Sequence, residues 1–214
     1  MKFINIHTHQ TTDNESVISL LNNYPTATNF NNYFSVGIHP WHISESEIDT
    51  EISLIKKQLQ HKNCFAIGEC GLDRLSEVNL QLQIAVFKKH IALSEKHQKP
   101  LIIHCVRAFQ EIIQLKKETK ATQPWIIHGF NKNKQVATAL LKAGFLLSFG
   151  KALINSNKIK EVFLETPLEK IFLETDDSNY TIFDIYKKAA EIRKINIEKL
   201  QETIYQNFNS IFTK

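Results

Sequence analysis

The sequence predicts an α/β fold, namely a (β/α)8 barrel that is shortened near its N-terminus. Short apolar segments alternate with longer amphipathic ones along most of the 214 residues, a pattern typical of a parallel sheet with helical connections. Eight apolar segments can be read as strands, which is the number that closes such a barrel. A typical barrel of this kind has about 250 residues, so some element should be short or missing.

The strands are predicted from apolar runs that end in polar or turn-forming residues. They are Phe3–Thr8, Val17–Asn22, Tyr33–His39, Cys64–Leu72, Pro100–Cys105, Trp125–Gly129, Phe145–Phe149 and Ile171–Thr175. Only residues 10–16 separate the first two, too few for a covering helix, so we expect the first helix to be missing. The second strand has an alternative reading, since Val17–Asn22 could equally form a helical turn.

The helices are predicted from amphipathic stretches that fill most of the gaps between strands. They are Glu45–Gln60, Asn79–His97, Phe109–Lys120, Lys134–Ala143, Ile159–Glu165 and Ile182–Lys194, followed by a closing helix over Ile197–Thr213. No linker rich in Pro, Gly or Ser interrupts this order, and no internal repeat is visible. With 43% hydrophobic residues, the chain is expected to form one domain over residues 1–214.

Charge and cysteine content exclude few partners but indicate a compartment. The chain has 26 Lys plus Arg and 22 Asp plus Glu, a formal charge of +4, which admits a polyanionic substrate without arguing for one. Few apolar residues precede Asn5, so neither a signal peptide nor a transmembrane span is predicted, and a cytoplasmic location is expected. Three cysteines without C-x-x-C spacing are expected to be buried reduced thiols.

The stretch N-I-H-T-H at residues 5–9 places two histidines at the end of the first predicted strand. Alternate residues of a strand point to the same side, so His7 and His9 share one face. Two imidazoles there could share a metal ion. The pair alone leaves a second reading open, in which one ring caps a turn and the other is solvated.

Further polar residues follow the other predicted strands, and five of the nine histidines lie at strand ends. In a (β/α)8 barrel the C-terminal strand ends converge, and reactive side chains collect there. The strand-end residues are His7, His9, His39, Glu69, His104, His128 and Asp176. Four histidines with a glutamate and an aspartate exceed the needs of one tetrahedral metal. They suit two divalent ions about 3.5–4 Å apart, with a two-oxygen carboxylate, for which we choose Glu69, as the bridge.

These motifs resemble the TatD family of metal-dependent deoxyribonucleases, a branch of the amidohydrolase-like barrels. The similarity runs in order through H-x-H, VGIHP, AIGECGLD, a histidine after KPLII, IIHGF and LETDDS. It implies that His7, His9, Glu69 and Asp176 hold one metal, and that Glu69, His104 and His128 hold the other. It also implies a nuclease, often of the 3′→5′ exonuclease type, with DNA as substrate.

Two positions depart from the family pattern. The family usually has an aspartate two residues before the first metal histidine, where this chain has Asn5. An outer carboxylate would then have become an amide, and such outer partners can be worth about 10–100-fold in metal affinity or activity. After His104 the family commonly shows Ser-Arg-Asp, whereas this chain has Cys105, Val106 and Arg107, so the arginine is shifted by one position.

Asp176 and Glu69 are the predicted catalytic residues. Asp176 matches the family position and could both bind a metal and accept a proton from the attacking water. A metal lowers the pKa of its bound water, so no cysteine nucleophile is required. The alternative for the acidic cluster is a helix N-cap, a role better suited to Asp177 or Ser178.

Five residues are candidates for substrate contacts, each with an alternative. His39 could contact a phosphate or the leaving group, or could instead hydrogen bond to a metal ligand. Trp41 could stack on a base or anchor its loop beside Pro40. Arg74, Arg107 and Lys151 could hold phosphates or be solvated surface charges.

The leading functional hypothesis is a two-metal phosphodiesterase that acts on DNA. Its main rival is an amidohydrolase-like enzyme for a small ester, lactone or amide, since the barrel does not fix the substrate. A third reading is a metal-stabilised binding protein without activity, suggested by Asn5 and the short N-terminal region. The expected cofactors are two divalent ions (Mg, Mn or Zn), and neither a membrane nor an obligate protein partner is expected.

Overall fold

The computed structural model describes residues 1–212, and the strands found there form one eight-stranded sheet in chain order, β1 to β8. Every predicted strand is present within this part of the chain. The strands are β1 Phe3–Thr8, β2 Val17–Asn23, β3 Phe34–Val36, β4 Cys64–Asp73, β5 Leu101–Val106, β6 Trp125–Ile127, β7 Leu146–Phe149 and β8 Ile171–Leu173. The strand pairs are parallel where their registers are defined. The (β/α)8 barrel class predicted from the sequence is confirmed.

Helices connect most of the strands, as the amphipathic pattern predicts. They are α1 Ile48–Gln58, α2 Leu80–His97, α3 Phe109–Thr119, α4 Lys134–Lys142, α5 Ala152–Asn155, α6 Asn157–Glu165, α7 Ile182–Arg193 and α8 Ile197–Phe212. Short 3-10 turns cover Pro40–His42 and Leu168–Lys170. The predicted end of the last helix, Thr213, lies outside the described residues.

The prediction that the first helix is missing is confirmed, because no helix occurs among the described residues between β1 and β2. A tight turn replaces it, in which the Asn14 side chain accepts a hydrogen bond from the Ser16 N–H at 2.9 Å. The Phe3 N–H then donates to the Ser16 carbonyl at 2.8 Å. Residues 17–23 form a strand rather than a helical turn, because the strand pairs in parallel with β1 from Phe3–Val17 onward.

The backbone contacts divide the chain into two compact units. In the first unit (residues 1–21 and 127–212), β8 lies beside β1. The Asp176 N–H donates to the His7 carbonyl at 3.0 Å, and the His9 N–H donates to the Asp176 carbonyl at 3.3 Å. On helix α7, the buried Tyr186 hydroxyl accepts from the Ile4 N–H at 3.1 Å. The first and last strands are therefore joined where the residues predicted as metal ligands leave them.

The second unit (residues 22–126) is built around the long strand β4, which pairs with β3 and β5. Gly71 lies opposite His104 in the β4–β5 register, with φ +140°. A Cβ at this position would overlap the His104 carbonyl oxygen, so only glycine permits this close approach. That approach brings the C-terminal ends of β4 and β5 together.

All three cysteines are buried and none of them forms a disulfide, as the sequence predicts. Burial raises the pKa of the Cys64 thiol to about 12, and it also raises that of Cys70. A thiol that stays protonated is a poor nucleophile, so the structure offers no reason to assign these cysteines a chemical role. Among the residues described, none of the helices has the length and apolar character needed to cross a membrane.

Candidate metal centre

The first unit brings together three predicted metal ligands, His7, His128 and Asp176, that are far apart in the sequence. His7, His128 and Asp176 each offer a ligand atom, and these atoms lie within 4.8 Å of one another. The His7 and His128 rings are 4.3 Å apart between centroids. His9 joins the group through Asp176, because its Nε2 lies 3.5 Å from the Asp176 Oδ1.

Asp176 is the carboxylate at the centre of this first group. Its Oδ1 lies 3.5 Å from the Nε2 atoms of both His7 and His9. Its backbone has φ +54°, a conformation that is uncommon outside glycine, asparagine and aspartate. Burial works to raise the pKa of Asp176, but interactions with His7, His9 and His128 outweigh it, and the pKa is held well below its usual range. The carboxylate is therefore ionised and suited to a cation.

Glu174 is a fully buried carboxylate beside this group, and the sequence reasoning gave it no role. Its Oε1 accepts a hydrogen bond from the Gly129 N–H at 2.6 Å and lies 3.6 Å from the His128 Nδ1. Within residues 1–212, its Oε2 has no hydrogen-bond partner. A carboxylate behind a metal-binding imidazole commonly fixes the ring's orientation. The glutamate of the LETDDS motif was the signal that could have pointed to it.

Asn5, the departure from the family pattern, links β1 to the segment that carries Asp176. Its side-chain NH2 donates to the Thr175 Oγ1 at 2.8 Å, and its Oδ1 accepts from the Thr175 N–H at 3.0 Å. The Thr175 hydroxyl in turn donates to the Thr8 Oγ1 at 3.0 Å. The amide thus makes two buried hydrogen bonds to the residue preceding Asp176.

A second group lies in the second unit and consists of His39, Glu69 and His104, whose ligand atoms again lie within 4.8 Å of one another. The Glu69 Oε1 lies 3.2 Å from the His39 Nε2 and 2.9 Å from the His104 Nδ1. Asn22 holds the other side of this buried carboxylate, since its NH2 lies 3.3 Å from the Glu69 Oε2. It also accepts from the Glu69 N–H at 2.9 Å.

Asp73 extends the second group, and the sequence reasoning assigned it no role although it belongs to the AIGECGLD motif. Its Oδ2 lies 3.0 Å from the His104 Nε2 and accepts from the Trp41 indole N–H at 2.6 Å. Burial works to raise the pKa of Asp73, but hydrogen bonds from His104, the Leu75 N–H and Trp41 hold it below its usual value. Asp73 therefore remains ionised and orients His104.

His39 contacts a predicted metal ligand. Its Nδ1 accepts from the Trp41 backbone N–H at 3.1 Å, so the ring proton lies on Nε2, which faces Glu69. Burial lowers the pKa of His39, and the hydrogen bond to Glu69 opposes this only in part. A neutral His39 thus donates to Glu69.

Both groups fit a divalent cation by the chemistry of their donor atoms. Each combines imidazole nitrogen with carboxylate oxygen, the set that suits Zn, Mn or Fe. Glu69 and Asp73 are buried carboxylates on either side of one imidazole. Buried charges of one sign are stable only when they are paired or bind a metal. These residues are therefore positioned to bind metal.

Of the three residues predicted to contact phosphates, two form ion pairs with carboxylates of the protein and the third is exposed. Arg74 pairs with Glu111, and the Lys151 ammonium lies 2.6 Å from the Asp177 Oδ1. Arg107 is exposed, with φ +54°. The sequence alternative of an N-cap at Asp177 or Ser178 is wrong, because Thr181 caps helix α7 with a reciprocal hydrogen bond to Asp184.

Comparison with known proteins identifies a family and relatives for this chain. The family model described as TatD related DNase matches residues 1–213. An uncharacterized metal-dependent hydrolase of Buchnera aphidicola is 35% identical over 152 residues, covering 69% of this chain but only 57% of that protein. The uncharacterized metal-dependent hydrolase YabD of Bacillus subtilis is 28% identical over 198 residues, covering 84% of this chain and 77% of that protein.

Two solved structures share the fold. YjjV, a TatD homolog from Escherichia coli K12, superposes with a TM-score of 0.82 at 17% identity, covering 99% of this chain and 98% of that one. A hydrolase of the TatD family from Entamoeba histolytica gives 0.81 at 16% identity, covering 100% and 99%. At such identities the likeness shows the fold alone.

Fold and ligand groups together define the class of metal-dependent hydrolases with a (β/α)8 barrel. Within that class the chain belongs to the TatD family, since the family model covers nearly its whole length.

Proposed function

We propose that this protein is a metal-dependent nuclease that hydrolyses phosphodiester bonds of DNA, of the 3′→5′ exonuclease type. The observation that carries the proposal is the pair of ligand groups, His7–His128–Asp176 and His39–Glu69–His104, each with donor atoms within 4.8 Å. The family match supports the choice of a phosphodiester, because the model that matches residues 1–213 describes related DNases.

Divalent ions bound by these residues would polarise water and the phosphate oxygens and stabilise negative charge in the transition state. His7, His9 and Asp176 would hold one ion, and Glu69 with His104 the other. His128, which the family resemblance assigned to the second ion, would join the first, because its ligand atom lies within 4.8 Å of those of His7 and Asp176. That Glu69 also belongs to the first set, as the family pattern implies, remains a proposal. So do the number and identity of the ions and the cytoplasmic location.

The proton of the attacking water is assigned to Asp176. Its side chain is about a quarter exposed, unlike that of the fully buried Glu174. An ionised, accessible carboxylate can act as a general base. Asp73 and Glu174 would hold the His104 and His128 rings in position rather than contact the substrate.

A small ester, lactone or amide is the second candidate substrate, and one observation favours it. Arg74 and Lys151, which were predicted to hold phosphates, are paired with Glu111 and Asp177. Their charges are thus neutralised by neighbours on the protein. DNA binding would require these surface pairs to open, which is inexpensive for exposed ion pairs.

The test combines metal analysis with two activity assays. The purified protein is analysed for Mg, Mn, Zn and Fe, and is then assayed for nucleotide release from single-stranded DNA and for hydrolysis of small esters. Glu69→Ala should lower the metal content, and Glu45→Ala, a change of an exposed glutamate, should not. Ester turnover without DNA cleavage would replace the nuclease proposal by the second candidate, and full metal content in Glu69→Ala would remove Glu69 from the ligands.

A further inference from the structure

The second unit contains an open cavity of about 490 Å³ beside the His39–Glu69–His104 group. Its lining includes Trp41, Asp73, Leu75, Val78 and Val106. Within residues 1–212, no lysine or arginine lines it. We call this cavity the Trp41 pocket.

Trp41 is held firmly by its polar atoms while its apolar surface remains open. The indole N–H donates to the Asp73 Oδ2 at 2.6 Å, and the backbone N–H donates to the His39 Nδ1 at 3.1 Å. Nevertheless the side chain is 57% exposed. A tryptophan that only anchored its loop would bury its rings, because burial of a large aromatic surface is the source of such an anchor's stability.

Leu75 adds a second exposed apolar side chain, at 62% exposure, to the same pocket. Exposed apolar groups that share one concave surface commonly mark a binding site. The acidic groups Asp73 and Glu77 also line this pocket, and they would repel a phosphate. An uncharged, flat, apolar group is the chemistry that fits this lining.

We propose that the Trp41 pocket binds one unpaired nucleobase of single-stranded DNA, stacked on the Trp41 indole, next to the bond that is cleaved. This inference rests on the proposed nuclease function and specifies its substrate. Stacking on an aromatic side chain requires that the base be free of its partner strand, so the pocket selects single strands. Any aromatic base fits, and no sequence preference follows.

The pocket is also connected to the ligand group. The Asp73 Oδ2 that holds the indole N–H also lies 3.0 Å from the His104 Nε2. The Asp73 carboxylate therefore fixes both the Trp41 indole, on which the base would stack, and the His104 ring. This connection places a nucleotide at a set distance from the metal-binding residues, which is what positioning for hydrolysis requires.

The experiment measures DNA binding in the Asp176→Asn background, in which cleavage should be slowed about 10²–10⁴-fold. Fluorescein-labelled oligothymidylate of eight nucleotides is compared by anisotropy with a strand of equal length made of abasic sites, in the presence of Mg. A stacked base is worth about 1–3 kcal/mol, so the thymidylate strand should bind about 5-fold to 150-fold more tightly.

Two variants separate stacking from the hydrogen bond to Asp73. Trp41→Phe loses the indole N–H but keeps an aromatic face, so it should retain most of the thymidylate preference. Trp41→Ala loses both and should bind the two strands nearly equally. Intrinsic fluorescence gives a second readout, because Trp125, the other tryptophan, is fully buried. Thymidylate should quench the emission of the parent protein and not that of Trp41→Phe.

The proposal is wrong if Trp41→Ala and its parent prefer the thymidylate strand over the abasic strand to the same degree. It is also wrong if the parent protein does not bind the thymidylate strand. The outcomes also separate the two proposals. DNA cleavage without a contribution from Trp41 leaves the nuclease function intact and removes the pocket. A thymidylate preference that depends on Trp41, in a wild-type protein that cleaves no DNA, keeps the pocket and removes the nuclease function.

Discussion

The two ligand groups differ in how their histidines are supported. In the second unit, His104 lies between two carboxylates, at 2.9 Å from Glu69 and 3.0 Å from Asp73. In the first unit, one carboxylate, Asp176, lies 3.5 Å from two histidines, and Glu174 lies 3.6 Å from His128. The two carboxylates beside His104 therefore lie within hydrogen-bond distance of its ring nitrogens, whereas Asp176 and Glu174 lie 3.5–3.6 Å from the imidazole nitrogens named.

The surroundings of the two ligand groups also differ, in polarity and in exposure. The second group adjoins the apolar Trp41 pocket, while the first unit has a polar cavity of about 330 Å³ lined by Asn5, Thr8 and Thr175. The carboxylate of the first group is partly exposed, and that of the second is buried. Under the proposed function, the proton transfer is assigned to the more exposed of these carboxylates, that of Asp176.

Replacement of the open carboxylate should have the largest effect. Asp176→Asn keeps the shape of the side chain but removes the charge that accepts a proton, so nucleotide release should fall about 10²–10⁴-fold. DNA binding should persist and still weaken with added salt, since phosphate contacts from Arg74 and Lys151 would remain. The measurement is nucleotide release by the metal-loaded protein.

Asp177→Asn is the matched control, because Asp177 is exposed and contacts Lys151. It should leave the rate within a few-fold of wild type. If Asp176→Asn hydrolyses DNA at the wild-type rate, Asp176 has no part in proton transfer, and its greater exposure has no functional meaning.

Loss of the support for His104 should have the next largest effect. Asp73→Asn removes the charge that orients the ring, and outer partners of metal ligands are worth about 10–100-fold in affinity. Calorimetric titration with Mn should show that affinity is weakened at one site only, because Asp73 contacts no residue of the first group among its known hydrogen bonds. Asp49→Asn, at an exposed ion pair with Lys89, should change nothing. Unchanged Mn affinity in Asp73→Asn would show that the short hydrogen bonds do not matter for metal binding.

The support of Asp176 can be tested through stability. Asn5→Ala leaves the buried Thr175 N–H without its acceptor, which costs about 1–3 kcal/mol in the free energy of unfolding. Asn5→Asp keeps an acceptor for this N–H, and the Thr175 hydroxyl can rotate to donate to it, so the loss should be smaller. Urea denaturation measures both. Equal destabilisation by the two variants would contradict the role given to the acceptor oxygen.

The smallest effect concerns pH and the second unit. The buried His90 Nε2 accepts from the Ile38 N–H at 3.0 Å, next to His39, and burial lowers the pKa of His90 from 6.5 to about 4. Between these values the unfolded chain binds a proton that the folded one does not, so stability falls as pH decreases from 6.5 to 4. The slope contributed is at most about 1.4 kcal/mol per pH unit.

His90→Gln should flatten this slope, which urea denaturation at several pH values can measure. An equally steep loss of stability in the variant would assign the acid sensitivity to other groups, for example to the ligand histidines.

Periodicity and strand-end polarity were sufficient for the fold and for the choice of candidate ligands. The apolar runs predicted β1 and the start of β2 to the residue, because alternation and turn residues are local properties of the chain. Boundaries beside the site were less accurate: β3 was predicted as Tyr33–His39 but covers Phe34–Val36. There Pro40 and the hydrogen bond between His39 and Trp41 start a 3-10 turn.

The residues that support the ligands were not predicted. Glu174 contacts Gly129, which is 45 positions away along the chain, and Asp73 contacts His104, which is 31 positions away. Asn22 contacts Glu69, 47 positions away, and no local pattern encodes such distances. Asn5 was noted only as a departure from the family, whereas its two hydrogen bonds to Thr175 follow from β1 lying beside β8.

The alternation of apolar and amphipathic segments thus predicted the barrel, and the order and spacing of histidines and carboxylates predicted the family resemblance and the ligand set, since each motif is a short run of neighbouring residues. Tertiary structure decided which carboxylate lies beside which imidazole. It also decided that Arg74 and Lys151 pair with neighbouring carboxylates, and that Trp41 keeps most of its surface exposed. Those properties depend on the packing of segments far apart in the sequence, where one close approach, such as that of Gly71 to His104, sets the distances among all the side chains nearby.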